Sequence, residues 1–536
     1  MTIRIVSKSQ WKRNLQPKKK RVRRLVKSTR RVLITTLAAG VIHAHLANPF
    51  TYGNIVEPTH VVSASTDGQL AISTKTKPIL LNNAFTNKVA FVEQGIHIAN
   101  NIFTGSQPAE GKTADDIIRD IHTLRFDPSK PYLISGDHFS ILYVRSLGIF
   151  YNTLLDPRTA LDAQDWKNRQ EIYLKTTAYA LDVFDQSSQL STSIVPLGEK
   201  YVTLVNFFNP PSDTMYSLLY ALDTMSDPTV LPTLYPFVNT SSYQLQTQSA
   251  AQQLIAQHRQ TLIRQLQTYE YYVTDPSTGL VKKDIYLSST KDSNMRQSAF
   301  YDNVILWKTK QLAQKMGLEP SDPQALETLR SRIISTFWDD THGYFKEDLS
   351  TTGDHYSSDW LITLMTGFLN PNNPQDRIYY NHSIAYIQQT GLDQPFPLHY
   401  QLTNDTSHTY PVVRMLAPSY AGQAVWSNWG MEYVKLLGLL GNIEHNSVFE
   451  AKAHTYIADY TSNIEKFHGY PEVYADDGSL FSGFTYKSVR QTGWVVTFEQ
   501  ARSLVQSLST SPTYQTQSTP LNHSFLSSVT LTHTTP

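Results

Sequence analysis

The sequence predicts an all-α fold in which paired helices form an (α/α)6 toroid, preceded by an irregular N-terminal segment. From Thr113 onward, apolar residues recur with the spacing of helices that have a buried face. The helical segments also come in pairs, since six strongly apolar segments alternate with six amphipathic ones at intervals of roughly 60 to 85 residues. We therefore expect apolar helices to line the inside and amphipathic helices to wrap them. A helical solenoid is the alternative.

Each apolar segment begins at a polar or aromatic loop, and the six begin at Asp137, Asp213, Arg296, Ser357, Tyr420 and Arg490. The amphipathic partners lie near residues 114–124, 165–185, 250–268, 323–338, 375–390 and 447–462. In a toroid, the loops that lead into the inner helices gather at one end, so their polar residues would line one cleft. A solenoid would instead spread these residues along a concave face.

The toroid is expected to span residues 113–506. Residues 1–31 hold thirteen Lys and Arg and no acid, which predicts a basic cytoplasmic arm, and the apolar run 32–47 predicts a signal or anchor helix. We therefore expect an extracytoplasmic protein, either secreted or held at the membrane through its N-terminal segment. Residues 48–112 have the mixed pattern of a linker or irregular cover. The Ser/Thr-rich residues 507–536 predict a disordered tail.

Composition and charge exclude several classes of function. Apart from the thirteen basic residues of the arm, 33 basic and 45 acidic residues remain, a net charge of −12, so nucleic acid is not an expected partner. The alternative for the arm is a nucleic-acid-binding tail on a cytosolic protein. The absence of cysteine excludes disulfides and thiol catalysis. The sequence also lacks a zinc, phosphate-loop or nucleotide motif, so neither a metal nor a cofactor is expected.

One stretch, from Tyr470 to Trp494, combines six aromatic rings with a glutamate between apolar neighbours and ends in an R-Q-T-G-W run. Sugars are bound by aromatic faces and by planar polar groups. A carboxylate among such rings is a candidate acid or base for the glycosidic bond. The candidate cleft residues here are Tyr470, Glu472, Arg490, Gln491 and Trp494. The alternative is a structural loop in which Glu472 caps a helix or pairs with a lysine.

Other loops that lead into inner helices add further candidates for substrate binding, which are Asp137, His138, Asp359, Trp360, Trp426 and Trp429. An aspartate at such a position is equally suited to cap a helix. Tryptophans spaced i, i+3 on an apolar helix are as typical of a core as of a sugar-stacking surface.

Three segments resemble a known group of enzymes. Residues 337–345, F-W-D-D-T-H-G-Y-F, resemble the W-D-x-x-x-G-Y-F segment of six-hairpin, (α/α)6-barrel glycosidases. Residues 470–478, Y-P-E-V-Y-A-D-D-G, resemble the E-x-Y-x-P-x-T-G segment of glycoside hydrolase family 63, and residues 426–429, W-S-N-W, match a W-x-N/H stretch before an inner helix. Trehalases and glucoamylases share this architecture.

The resemblance implies inverting hydrolysis of an α-linked oligosaccharide, with Glu472 as the base and a second carboxyl about 6.5–9.5 Å away as the acid. Family 63 enzymes carry the acid at the end of E-S-G-M-D, whereas residues 292–296 here read D-S-N-M-R. Arginine does not donate a proton at useful pH. We expect Asp292 to be the acid, with Asp302 as the alternative, while Arg296 would bind a hydroxyl group or lower the pKa of a neighbour. Asp292 is equally suited to cap a helix beginning near Asn294.

Two other kinds of function fit the same toroid. Arginine at the position of the acid favours a non-catalytic carbohydrate-binding protein. A polysaccharide lyase or a glycoside phosphorylase is the other alternative, the latter with phosphate held by Arg296 and Arg490. The fold alone does not separate these functions.

Overall fold

A computed structural model describes residues 77–136, 141–206, 209–227, 242–291, 294–350, 356–404, 408–483 and 486–509. The expected basic arm, the signal or anchor helix and nearly all of the expected tail lie outside the described residues, as do Asp137, His138 and Asp292. Across the described ranges, no helix combines the length and the apolar character that a membrane crossing requires.

The described residues form fifteen α-helices and eight strands. The helices are α1 Ala84–Thr104, α2 Ala114–Arg125, α3 Ser146–Ile149, α4 Ala163–Phe184, α5 Thr214–Ser226, α6 Ser242–Gln257, α7 Arg259–Val273, α8 Phe300–Lys315, α9 Pro323–Phe337, α10 Ile362–Thr366, α11 Pro374–Thr390, α12 Pro411–Leu416, α13 Ser427–Glu444, α14 Ser447–Phe467 and α15 Val495–Ser509. The strands are β1 Ile79–Leu80, β2 Leu142–Tyr143, β3 Ser193–Leu197, β4 Tyr201–Val205, β5 Trp338–Asp339, β6 Tyr344–Phe345, β7 Val425–Trp426 and β8 Val473–Tyr474.

Six helices form a closed inner ring within the described chain. Around it, α3 contacts α5, α5 contacts α8, α8 contacts α10, α10 contacts α13, and α13 contacts α15. The ring closes between its last and first members, where the Trp494 ring before α15 stacks on the Phe150 ring after α3 at 3.8 Å between centroids. The predicted toroid is therefore confirmed, because the helices of an open solenoid would not meet end to end.

The outer layer consists of α2, α4, the α6–α7 pair, α9, α11 and α14, which alternate with the inner helices along the chain. The burial of their side chains explains why some helices lie in the inner layer and others in the outer layer. In α5, every residue from Thr214 to Met225 is buried, whereas α9 buries only Leu329, Ile333 and Phe337, which are four residues apart. A helix with one such stripe is stable only with its other face in water. The amphipathic segments of the sequence therefore wrap the apolar ones, as predicted.

Two inner helices are shorter than the apolar pattern suggests. Helix α3 has four residues, and α10 has five and follows the 3-10 helix Ser358–Leu361. Gly367, with φ +70°, ends α10 in the left-handed region that favours glycine. Helix α8 also begins at Phe300, so the expectation of a helix starting near Asn294 or Arg296 is wrong. The residues before Phe300 are not helical, and Ser298 has φ +49°.

A four-stranded sheet in the order β1-β4-β3-β2 packs against α1. Strands β3 and β4 form an antiparallel hairpin within a region where only helices were predicted. Its sequence, S-I-V-P-L-G-E-K-Y-V-T-L-V, is rich in β-branched residues and turns at Gly198, which has φ +82°. Residues 48–112 were expected to be a linker or irregular cover, and their described part contains β1 and the 21-residue helix α1.

Candidate active site

Glu472 is fixed between the starts of two inner helices. It directly precedes β8, which pairs antiparallel with β7, the strand that leads into α13. The carbonyl oxygen of Glu472 accepts hydrogen bonds from the Ser427 N–H at 3.2 Å and from the Ser427 Oγ at 2.9 Å. Its own N–H donates to the Val489 carbonyl at 3.0 Å, on the segment that leads into α15. The backbone on both sides therefore holds this residue at the end of the toroid where the inner helices begin.

Two tyrosine hydroxyls hold the Glu472 carboxylate, and the residue is only 7% exposed. Tyr420 donates to Oε1 at 3.0 Å, and Tyr486 donates to Oε2. Burial, together with the negative charge of Glu472, raises the pKa of the Tyr486 hydroxyl well above its usual value. The hydroxyl therefore stays protonated and remains a donor, which orients the carboxylate.

Aromatic rings surround this carboxylate. The Tyr420 ring packs edge-on against Trp426 at 4.8 Å and against Tyr486 at 4.9 Å. The Trp426 ring lies nearly parallel to Trp494 at 6.5 Å, and Trp494 stacks on Phe150. Of the residues in the stretch that the sequence singled out, Glu472 and Trp494 thus lie in one aromatic cluster with Trp426.

A second group of buried charges surrounds Arg296. Its Nη1 lies 2.6 Å from Asp359 Oδ2 and 3.5 Å from Glu347 Oε1, and its Nη2 donates to Ser289 Oγ at 2.5 Å. Lys291 Nζ lies 2.5 Å from the same Glu347 oxygen. The guanidinium group therefore binds protein carboxylates inside the ring.

This charge group extends to α5 and α8. The Asp213 carboxylate is paired with Arg145 Nε at 3.2 Å and accepts a hydrogen bond from the Tyr301 hydroxyl at 3.2 Å. Burial raises the pKa of Asp213, although the Arg145 charge opposes this effect. Tyr400 connects the group to the aromatic cluster, because its hydroxyl donates to Asp359 at 3.3 Å and its ring meets Trp426 at 5.4 Å.

Asp302 lies in the first turn of α8 and is 2% exposed. Its Oδ1 has no hydrogen-bond partner among the residues described. Burial raises the pKa of Asp302 to about 7, the charges of Asp213 and Asp359 add to this effect, and Arg296 counteracts it. A neutral Asp302 leaves the surrounding charges balanced, with the acids Asp213, Glu347 and Asp359 against the bases Arg145, Lys291 and Arg296.

The remaining candidates occupy two other environments. Trp360, Trp429 and Tyr470 are at most 1% exposed and pack in the core. Arg490 and Gln491 are bound to the outer layer and the N-terminal region, since Arg490 Nη1 donates to the Phe467 carbonyl at 3.4 Å and Gln491 Nε2 donates to the Gln107 carbonyl at 3.0 Å.

The sequence analysis did not identify the residues that hold these candidates in place. Tyr486 is one of the six rings in the stretch that contains Glu472, but its pairing with the carboxylate was not predicted, and Tyr420 lies 52 positions away with no local pattern to connect it. The sequence did contain a signal for two other residues of the site, Lys291 and Glu347. In a chain with only 17% charged residues, Lys291 lies beside the D-S-N-M-R segment and Glu347 lies just after the F-W-D-D-T-H-G-Y-F segment.

One group of side chains has the ligand types of a metal site. Asp182, Asp185 and His258 each offer one ligand atom, and these atoms lie within 4.8 Å of one another. All three already have protein partners, because Lys77 Nζ lies 2.5 Å from Asp182 and His258 Nδ1 lies 2.9 Å from Asp185. The group lies on α4 and at the start of α7, on the outer layer.

Comparison with known proteins gives similarity of fold only. No known protein-family profile matches the sequence, and no curated protein sequence is similar to it. A GH63 mannosylglycerate hydrolase from Thermus thermophilus, solved with glucose, has a TM-score of 0.43 and 13% identity, over 74% of this chain and 100% of that chain. A glucoamylase from Hormoconis resinae has 0.44 and 12%, over 78% and 74%.

A cellobiose 2-epimerase from Bacillus thermoamylovorans is equally similar, with a TM-score of 0.43 and 12% identity, over 74% of this chain and 98% of that chain. A hydrolase and an epimerase are thus matched to the same degree, so the similarity assigns no activity. The solved structures to which this chain is similar have six-hairpin (α/α)6 glycosidase-like folds, the group that its sequence motifs resemble. The helix packing of the chain itself confirms the predicted (α/α)6 toroid.

Proposed function

We propose that this protein is a glycoside hydrolase that inverts the configuration of an α-linked oligosaccharide, with Glu472 as its catalytic base. One observation carries the proposal: a nearly buried carboxylate, held by the hydroxyls of Tyr420 and Tyr486, lies among aromatic rings where two inner helices begin. Such a carboxylate is held in one orientation, and the Trp426 and Trp494 rings of the same cluster, 3% and 5% exposed, are of the residue type on which sugars stack.

In the proposed reaction, Glu472 takes a proton from a water molecule that attacks the anomeric carbon. A carboxylic acid on the other side of the substrate protonates the glycosidic oxygen as its bond to that carbon breaks. Asp302 is suited to this second role, because burial raises its pKa to about 7 and keeps much of it protonated at neutral pH. Asp292, in the segment that precedes α8, is the other candidate for the acid.

A non-catalytic carbohydrate-binding protein is the second candidate function. Arg296 stands where the related segment of family 63 has its acid, and its guanidinium group is already paired with Asp359 and Glu347. The same pairing disfavours a phosphorylase, because Arg296 would have to break its contacts with both carboxylates before it could bind phosphate.

The test compares hydrolysis of a panel of α-linked oligosaccharides by the wild-type protein and by Glu472→Gln, Asp302→Asn and Asp292→Asn variants. We expect Glu472→Gln to lower kcat by about 100-fold or more, on the order of what a general base contributes, and one of the two aspartate variants to do the same. Asp476→Asn is the matched control, because Asp476 is exposed in the same stretch and should leave kcat unchanged.

The configuration of the first product, followed by proton NMR, tests the inverting mechanism. Appearance of the β-anomer supports it, and appearance of the α-anomer contradicts it. Sugar binding without turnover by the wild-type protein on the whole panel would favour the non-catalytic alternative.

A further inference from the structure

A cavity of about 250 Å³ opens at the end of the ring opposite Glu472. The buried polar residues of its lining are Asn152, Thr153, Tyr220, Glu432, Lys435 and Gln500. Asn152 follows the end of α3, and Glu432 and Gln500 lie at least five residues into α13 and α15. The cavity is therefore distinct from the aromatic cluster at the starts of these helices. Its rim includes the exposed Gly367 and Asn370, which follow α10.

Several polar atoms in this lining have no partner in the described parts of the chain. Glu432 Oε2 accepts no hydrogen bond there, and neither Asn152 Oδ1 nor Thr153 Oγ1 is paired. A buried polar group without a partner costs about 1–3 kcal/mol. Three such groups around one cavity need partners, which either water or a bound molecule with hydroxyl groups supplies.

The charges of the lining limit what that ligand is. Lys435 Nζ lies 2.6 Å from Glu432 Oε1 and donates to Gln500 Oε1 at 2.8 Å. A bound cation would be repelled by the Lys435 ammonium group, and a bound anion by the Glu432 carboxylate. A neutral molecule with several hydroxyl groups suits the pair, because hydroxyls donate to Glu432 and Asn152 and accept from Lys435.

Size points in the same direction. A single water molecule needs roughly 10–15 Å³ of such a cavity, so 250 Å³ accommodates a molecule much larger than water. We propose that this cavity is a second binding site, which takes a neutral polyol or a monosaccharide with its hydroxyl groups on Glu432, Asn152 and Thr153. The proposal does not depend on the hydrolase reaction, because no residue of the cavity belongs to the candidate active site.

Leu439 allows a test that preserves the charged pair. It lies on α13, lines the cavity and is only partly buried. Leu439→Trp should fill the cavity, whereas Leu439→Ala should leave it open. Binding of radiolabelled glucose to the full chain is measured by equilibrium dialysis, with glycerol as a smaller competitor. We expect a site with a Kd on the order of 1 mM that is retained in Leu439→Ala and weakened at least tenfold in Leu439→Trp.

Two further variants separate this cavity from the candidate active site. Glu432→Gln should weaken the same glucose site at least tenfold, and Glu472→Gln should leave it intact, whether or not Glu472 is catalytic. Circular dichroism of each variant checks that the fold is retained. The proposal is overturned if the wild-type protein binds no glucose at this site, or if Leu439→Trp binds glucose as tightly as Leu439→Ala. It is also overturned if a crystal soaked at saturating glucose shows nothing but water in the cavity.

Discussion

At the scale of single residues, the buried Asp302 carboxyl links the stability of the protein to pH. An acid whose pKa is raised on folding binds its proton more tightly in the folded state than in the unfolded state. The contribution of Asp302 to the free energy of unfolding is therefore most favourable below about pH 4 and declines until the pH passes the folded-state pKa of about 7. At about 1.36 kcal/mol per pH unit, this decline amounts to about 4 kcal/mol at most.

We predict that Asp302→Asn flattens this decline, since the amide cannot ionise. Urea unfolding at about pH 5 and about pH 8 should show a smaller loss of unfolding free energy in Asp302→Asn than in the wild-type protein. Asp476→Asn, at an exposed position, should keep the wild-type loss. Equal losses in all three proteins would contradict a raised pKa for Asp302.

The residue scale also marks where prediction from the sequence ends. Glu472 was identified because its local stretch is unusual, and the structure places its carboxylate beside the hydroxyl of Tyr420, whose ring packs on Trp426. Its catalytic role stays a prediction. Of the tyrosine partners of Glu472, Tyr486 belongs to the same stretch, whereas Tyr420 lies 52 positions away and is brought to it only by the tertiary structure. Trp360, Trp426 and Trp429 were all proposed to bind substrate, and all three are buried, at 1%, 3% and 0% exposure. The side of a helix that a tryptophan occupies depends on packing, which the pattern alone does not fix.

At the scale of elements, the close contact of inner and outer layers depends on glycine. Gly430 lies in α13, where an added Cβ would come closer than 3.0 Å to the Pro397 carbonyl oxygen and to the Tyr460 hydroxyl. The backbone oxygen cannot move away easily, because Tyr460 donates its hydroxyl hydrogen to it. Gly438, two turns further along α13, would place a Cβ at an ordinary distance of 3.4 Å from Val505.

We therefore predict opposite effects for the same substitution on one helix. Gly430→Ala should lower the free energy of unfolding by about 1–3 kcal/mol through overpacking. Gly438→Ala should be neutral or stabilise by up to about 1 kcal/mol, because alanine is the better helix former. Urea unfolding of both variants measures the difference, and equal effects would show that the contact at Gly430 is not tight.

Elements were predicted well where the pattern is long and less well at their boundaries. The periodicity of the apolar and amphipathic segments identified both layers. The start of α8 was missed because residues 294–299, N-M-R-Q-S-A, contain no glycine or proline that would mark a boundary. Their backbone is nevertheless not helical, and the Arg296 side chain is paired with Asp359. The β3–β4 hairpin was missed because helical segments on both sides dominate its region.

At the scale of the whole molecule, the stability of the ring depends on its last member. Helix α15 packs on α13, and Trp494 before it stacks on Phe150 after α3. We predict that a chain ending at residue 494 loses cooperative unfolding and near-UV circular dichroism. A chain ending at residue 509 should unfold at the same urea concentration as the full chain, because residues 510–536 contain no charged residue and few large apolar ones. Cooperative unfolding of the shorter chain would contradict this role of α15.

The stacking of Trp494 on Phe150 also bears on how the protein is made. About 340 residues separate the two rings in sequence. Nearly the entire nascent chain must therefore leave the ribosome before Trp494 can stack on Phe150 and close the inner ring of helices. Until then, the apolar inner faces of the earlier helical hairpins lack a packing partner on one side and are prone to aggregate. Slower elongation or a holding chaperone during this interval should therefore raise the yield of native protein more than any change at the surface of the finished molecule.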